Sequence, residues 1–214
     1  MPEQSDCRQQ PENQTELQTI KNRRKIVMKT IDKTFLAYYE AGREYNRLRE
    51  NIGLIEFERT KELLLEHLPE PPAVIYDIGG AYGEYSWWLA SLGYEVHLFD
   101  LSPTNIRMSV KLTGEYPGCS LAASEVCDAR DVPREDHSAD AVLLMGPLYH
   151  ITDYSERIAA IRESRRLLKE NGVLFAAALT PFSVLLYNLT VYAPDGENKS
   201  TYLEDPDFLS MVAR

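Results

Sequence analysis

The chain has 214 residues, 44% of them apolar, enough for one sizeable core and with no shift in composition that calls for a second. Its 33 acidic side chains against 23 basic ones give a formal charge of -10, so the molecule as a whole repels a phosphate backbone and no nucleic-acid partner is expected. Cys7, Cys119 and Cys127 lack the spacing of a zinc site or a disulfide framework, so no metal is expected.

Residues 1–18 are polar, rich in Gln, Glu, Asn and Pro, and read as a disordered tail. They hold no signal-like apolar stretch and no later run is long enough to cross a bilayer, so a cytoplasmic protein without membrane contact is expected. From Lys21 apolar residues recur at helical intervals, at Ile26, Ile31, Phe35, Tyr38 and Tyr39, with Lys21, Arg23, Arg24, Lys25, Lys29 and Lys33 on the other faces. Such a basic face suits solvent, or attraction to the acidic remainder of the chain. A second helix is predicted over residues 54–68, with Leu54, Ile55, Phe57, Leu63, Leu64 and Leu68 as its core face and Pro69, Pro71 and Pro72 as its stop. Residues 19–72 are thus expected to form a helical cap ahead of the first strand.

The stretch that organises the rest is Val74-Ile-Tyr-Asp-Ile-Gly-Gly-Ala-Tyr-Gly-Glu84. An apolar run of strand length breaks into a turn at Gly79, Gly80 and Gly83, and helical spacing resumes at Tyr85, Trp88, Leu89 and Leu92. Glycine lacks the Cβ that forbids positive φ and blocks close approach, so the turn suits a ligand lying on the backbone. A dinucleotide fingerprint would need G-x-G-x-x-G, which Ala81 breaks. Asp77, at the end of the strand, would repel a pyrophosphate and favour a cationic ligand.

Residues 93–100 form a second predicted strand ending in Asp100, followed by Ser102 as a helix cap and Pro103 at the first helical position. About twenty residues past a glycine turn, doubly wound sheets place an acid that accepts the hydroxyls of a ribose, whichever cofactor carries it. A helix over residues 105–115 leads to a strand over 120–126 and to Cys127-Asp128-Ala129. The fourth strand, residues 138–145, is continuously apolar and so belongs inside a sheet covered on both faces; Gly146-Pro-Leu-Tyr-His-Ile151 leaves it as a loop. Next come a helix over 155–168, facing inward at Ile158, Ile161, Leu167 and Leu168, a stop at Glu170-Asn171-Gly172, and a fifth strand over 173–179. Residues 181–189 suit a short helix roofing a cleft, and 193–206 are turn-rich. This alternation predicts an α/β fold, a Rossmann-like, doubly wound, mostly parallel sheet of about five strands flanked by helices. Residues 73–179 would be the core and 180–214 a lid-like or truncated segment.

Asp77-x-Gly79-Gly80-x-x-Gly83 resembles motif I of the class I S-adenosylmethionine-dependent methyltransferases, and Met145-Gly-Pro-Leu-Tyr-His150 resembles motif IV of their small-molecule type. The resemblance implies S-adenosylmethionine as cofactor and S-adenosylhomocysteine as product. It would place Asp77, Gly79, Gly80, Ala81, Gly83, Asp100, Leu101, Asp128, Ala129, Met145 and Gly146 around the cofactor, with Asp128 at the adenine amino group and the Ala129 amide at the ring. In one group of the family, N-terminal helices close over cofactor and substrate, which would turn Tyr39, Glu44 and Arg47 toward the cleft with Tyr149. The implied reaction is methyl transfer to a small-molecule acceptor by in-line displacement. His150, with Tyr149 beside it, is the base expected if the acceptor must lose a proton. The family ordinarily adds two edge strands, and none is visible in this sequence, so pairing of two copies through the uncovered fifth strand is expected. Two alternatives stay open: a non-catalytic S-adenosylmethionine-binding protein, and a nicotinamide oxidoreductase, which Asp77 and Ala81 disfavour.

Overall fold

The computed structural model describes residues 47–180 together with residues 182–183. The expected tail, the basic helix, Tyr39, Glu44 and nearly all of residues 181–214 lie outside the described residues. Helix α1, Asn51–His67, ends where Leu68 turns extended ahead of Pro69. Its buried stripe is Phe57, Leu64 and Leu68, which share one face at helical spacing and pack into a common cluster. Leu54, Ile55 and Leu63, expected on that face, are exposed because they lie off the stripe; Ile55 is 70% exposed. Lys61 runs along the buried side, its Nζ 4.9 Å from the Phe57 ring centre and 5.4 Å from that of Trp88.

Five strands follow: β1 Val74–Ile78, β2 Glu95–Asp100, β3 Ala123–Val126, β4 Ala139–Leu144 and β5 Leu168–Ala176. They lie in the order β3-β2-β1-β4-β5, and every neighbouring pair is parallel, in the doubly wound sheet of five strands that the sequence predicted. Around them run α2 Glu84–Ser91, α3 Pro103–Ser109 with a 3-10 turn over Val110–Gly114, the single turn α4 Pro147–His150, and α5 Tyr154–Leu167. Strand order changes direction between β1 and β4, the switch point beyond whose C-terminal ends open α/β sheets hold their ligands.

Side chains alternate along β1, so Ile75 joins Val96, Ala141 and Leu143 in the cluster beneath α1 and α2. Tyr76 and Ile78 join Phe99, Val142 and Leu144 beneath α5. Both faces are covered, which is why β4 tolerates no polar residue beyond Asp140, whose carboxylate accepts from the Val74 amide and from Lys169. At ~1.5–3 kcal/mol for each fully buried leucine or isoleucine, this packing and not helix propensity holds elements as short as α2 and α3 in place.

The remaining differences have local causes. Helix α2 buries Tyr85, Trp87 and Leu89 while Leu92 is exposed. Trp87 is enclosed because its indole N–H donates to the Ser109 carbonyl at 3.0 Å and its ring stacks on Tyr116. The predicted helix over 105–115 starts earlier, at Pro103, and tightens to 3-10 geometry after Ser109. Helix α5 buries Ala160, Ser164 and Leu167, the first two small enough to let its backbone approach the sheet, and leaves Ile161 exposed. It ends directly in extended backbone at Leu168. The expected stop at Glu170-Asn171-Gly172 is instead an irregularity inside β5: Ala139 pairs with Leu168 but Ala141 with Val173, and Asn171 takes a φ of 65°. Strand β5 therefore begins at Leu168 and ends at Ala176, and among the described residues only β4 pairs with it. No described helix is long and apolar enough to cross a membrane.

Candidate functional site

After Ile78 the chain turns with Gly79 at φ 76°, Ala81 at 52° and Gly83 at 81°. A Cβ on Gly79 would lie 2.6 Å from the Cγ and Cδ of Pro147, and one on Gly146 would lie 2.9 Å from the Gly79 carbonyl oxygen. The loops leaving β1 and β4 thus touch, an approach that only glycine permits. The amides of Gly79 and Gly80 donate to the Phe99 carbonyl at 2.7 and 3.2 Å, so the turn also leans on the end of β2. The segment read as a loop, residues 146–151, contains the helical turn α4 with Pro147 at its start. Gly79→Ala combines a left-handed backbone with overlap against a rigid ring, and is expected to lose ~2–4 kcal/mol of stability by urea unfolding. A loss below ~1 kcal/mol would show that the turn is not constrained in this way.

The acids of the first three strands gather at one edge of the sheet. Asp77 is followed in β1 by Ile78 and lies beneath the turn, 2% exposed. A Cβ on Gly80 would come within 2.5 Å of its carboxyl carbon, so the turn folds directly over it. Burial pushes the Asp77 carboxyl up to about 6, against the opposing hydrogen bond that Ser86 Oγ donates at 2.7 Å and with a further push from the charge of Asp100. Asp100 closes β2, accepting from the Ala81 amide at 2.9 Å on one oxygen and from the Ser102 amide at 2.8 Å and Asn105 Nδ2 at 3.0 Å on the other. The first of these bonds holds Ala81, the departure from a glycine fingerprint, in its left-handed conformation. Ser102 caps α3 as predicted, its Oγ accepting from the Asn105 amide at 3.2 Å. Leu101 lies half-buried beside it.

The Cys127 amide donates to the Asp100 carbonyl at 2.9 Å, which brings Asp128 and Ala129 alongside the end of β2. Asp128 is paired with Arg130, a residue that sequence reasoning passed over. Ser86 and Asn105 were passed over too. Each carried a weak signal: a polar side chain on an otherwise apolar helix face beside a glycine turn, and an amide in the first turn after a capped acid.

At the end of β4, Met145 is half-buried against the cluster beneath α1. The rings of Tyr149 and His150 lie 4.6 Å apart at 59°. Burial, reinforced by the Arg47 charge, pushes His150 down to about 4, so its imidazole is neutral at physiological pH. Arg47 donates to both oxygens of Glu56, at 2.8 and 3.1 Å. Two residues on, Arg49 donates to both oxygens of Glu84, at 2.7 and 2.9 Å, and to Glu115 at 2.7 Å. Arg49 thereby ties the turn before α1 to the start of α2, next to the glycine turn. The structure thus draws together the predicted residues of β1, β2, β3 and β4; of the three expected lid residues, only Arg47 falls within the described residues.

Residues 76–176 match a family model described as a methyltransferase domain. The chain is similar to probable tRNA methyltransferase 9B of Homo sapiens, 28% identical over 116 residues, covering 54% of this chain and 23% of that protein. The cattle relative matches to the same extent, and this chain spans less than a quarter of the length of the curated relatives it matches, 21–23%. Among solved structures it is similar to a protein of Pyrococcus horikoshii OT3, with 25% identity, 68% of this chain and 70% of that chain covered, and a TM-score of 0.54. A putative methyltransferase of Haloferax volcanii, solved in complex with the Trm112 methyltransferase activator, shares the fold at 21% identity, with 69% and 61% covered and a TM-score of 0.51. The order of the sheet and the glycine turn at its switch point agree with that match: residues 76–176 form a methyltransferase domain with a Rossmann-like fold.

Proposed function

We propose that the chain binds S-adenosylmethionine across the C-terminal ends of β1, β2 and β3 and methylates a small-molecule acceptor seated beside α4. The observation that carries this reading is the glycine turn packed on Pro147 and tied by the Ala81 amide to a buried Asp100. The residues fit the group: the buried acids Asp77 and Asp100 beside the turn suit a cationic ligand with ribose hydroxyls. On this reading Gly79, Gly80, Ala81 and Gly83 hold the amino-acid end over the Asp77 carboxylate, and Asp100 and Leu101 hold the ribose. Asp128 and Ala129 hold the adenine, while Met145 and Gly146 form the wall toward the acceptor.

When bound, the cofactor supplies a methyl group already activated by its sulfonium. The work left to the protein is alignment and exclusion of water, effects worth ~7–11 kcal/mol in the best intramolecular analogues. His150 is a weaker base than its residue type suggests, because a proton on it is disfavoured by burial and by Arg47. Its neutral ring is suited to accept a hydrogen bond from the acceptor and orient it, with Tyr149 shaping the same wall. Among the described residues only β4 pairs with β5, and its other edge suits pairing with a second copy.

A small molecule is favoured over RNA as acceptor by the formal charge of -10. The similarity to probable tRNA methyltransferase 9B favours the second reading, a tRNA acceptor. Incubating the full chain with methyl-labelled cofactor and a cell extract, then separating small metabolites, RNA and protein, distinguishes them. Label in the metabolite fraction, unchanged by ribonuclease, is expected. Label in tRNA would overturn the acceptor class, and bound cofactor with no labelled fraction would point to a non-catalytic binding protein.

A further inference from the structure

We infer that Arg130 is the positioning residue that makes Asp128 selective for an adenine amino group; the inference rests on the reading that these strand ends take S-adenosylmethionine. A carboxylate has about four lone-pair sites. On Asp128, Oδ1 accepts from both the backbone amide and Nε of Arg130, each at 2.8 Å, and Oδ2 accepts from Arg130 Nη2 at 2.6 Å. Three sites are therefore taken, and one acceptor position remains, on Oδ2. A tight turn makes this pairing across two residues feasible: the Asp131 amide donates to the Asp128 carbonyl at 3.1 Å, which curls Arg130 back over the acid.

Arg130 is held from its far side as well. Its Nη1 donates to Glu156 Oε2 at 2.5 Å, and Glu156 is fixed in the first turn of α5, where its amide donates to the capping Asp153 at 3.0 Å. The side chains of Asp128 and Arg130 are each 12% exposed, so the pair is shielded from water. The guanidinium fork is planar and its geometry fixed, so the carboxylate is held in one orientation instead of rotating freely.

An adenine amino group offers an N–H to the remaining lone pair. A hypoxanthine ring offers a carbonyl at the same place, setting acceptor against acceptor. The bonds from Nε and Nη2 to Asp128 and from Nη1 to Glu156 hold the guanidinium on its own side of the carboxylate, so Arg130 would have to give them up to swing across to that carbonyl. Selectivity then comes as much from rejecting the wrong base as from binding the right one.

Calorimetric titration of the full chain with S-adenosylhomocysteine and with S-inosylhomocysteine tests this in the wild type, Arg130→Lys and Glu156→Gln. The wild type is expected to prefer the adenosyl compound by ~30-fold or more, the scale of a hydrogen bond to a charged group set against an unpaired acceptor. In Arg130→Lys, which keeps the charge but loses the fork, and in Glu156→Gln, which loosens the tether, the preference is expected to fall below ~5-fold, largely through tighter inosyl binding. A purely structural Arg130 would weaken both compounds alike and leave their ratio unchanged, which overturns the inference. If Arg130→Lys does not fold, Glu156→Gln carries the same comparison. A folded wild type that binds neither compound overturns the cofactor reading and this inference together, whereas unchanged selectivity in the variants overturns this inference alone.

Discussion

Replacing Asp100 by alanine is expected to weaken S-adenosylmethionine binding by at least ~100-fold and to lower stability by ~2–4 kcal/mol. Both effects come from one buried carboxylate whose acceptors hold the amides of Ala81 and Ser102 and Asn105 Nδ2 among others. Alanine leaves all three without an acceptor in a site closed to bulk water. Asn105 is the most exposed to this loss in energetic terms, because its own Oδ1 is already a buried acceptor without a partner among the described residues. Ala81 loses the bond that offsets its left-handed backbone, so the glycine turn is expected to relax as well. Urea unfolding measures the stability loss and a titration with S-adenosylhomocysteine measures the affinity. Unaltered affinity in a folded Asp100→Ala protein would mean that the ribose is held elsewhere.

Asp77→Asn is expected to do the opposite to stability while harming binding. In the unfolded chain this carboxyl titrates near 3.8, and in the fold burial raises it to about 6. Protonation therefore favours the folded state: the associated stability is fully present below pH 3.8 and is lost as pH rises through 6, so at pH 8 the ionised group is a burden. The shift corresponds to roughly 3 kcal/mol. An asparagine keeps an acceptor for Ser86 but brings an N–H that needs a partner, so a gain of roughly 1–3 kcal/mol at pH 8 is expected. That gain is expected to shrink as pH falls toward 4, where both side chains are uncharged. Affinity for S-adenosylmethionine is expected to drop about tenfold as the negative charge beneath the turn disappears. A variant that is less stable than wild type at pH 8 would contradict the account.

The sheet was legible because its signals are local. Continuous apolar runs marked β1 and β4, glycines marked the turn between β1 and α2, and Ser102-Pro103 marked the start of α3. Faces of helices were less legible. Leu54, Ile55 and Leu63 are as apolar as Leu64, and only the fold decides which stripe of α1 meets the sheet. Trp87 is buried by a contact with Ser109, in a different element. Lys169-Glu-Asn-Gly172 has the composition of a turn but lies within β5 as an irregularity of its register, because α5 hands over to the strand without a break.

For the site, the acids at the strand ends stood out, and their partners did not. Ser86, Asn105 and Arg130 act through side-chain hydrogen bonds that follow no periodicity. The weak basicity of His150 depends on enclosure and on Arg47, which lies ahead of the first strand, so residue type alone overstated it.

The most direct measurement is calorimetric titration of the full chain with S-adenosylhomocysteine at pH 7.5, alongside Asp100→Ala. Saturable binding of one equivalent to the wild type, lost in the variant, is the predicted result. No heat from a wild-type protein that is folded by circular dichroism would contradict the claim that these strand ends form a cofactor site.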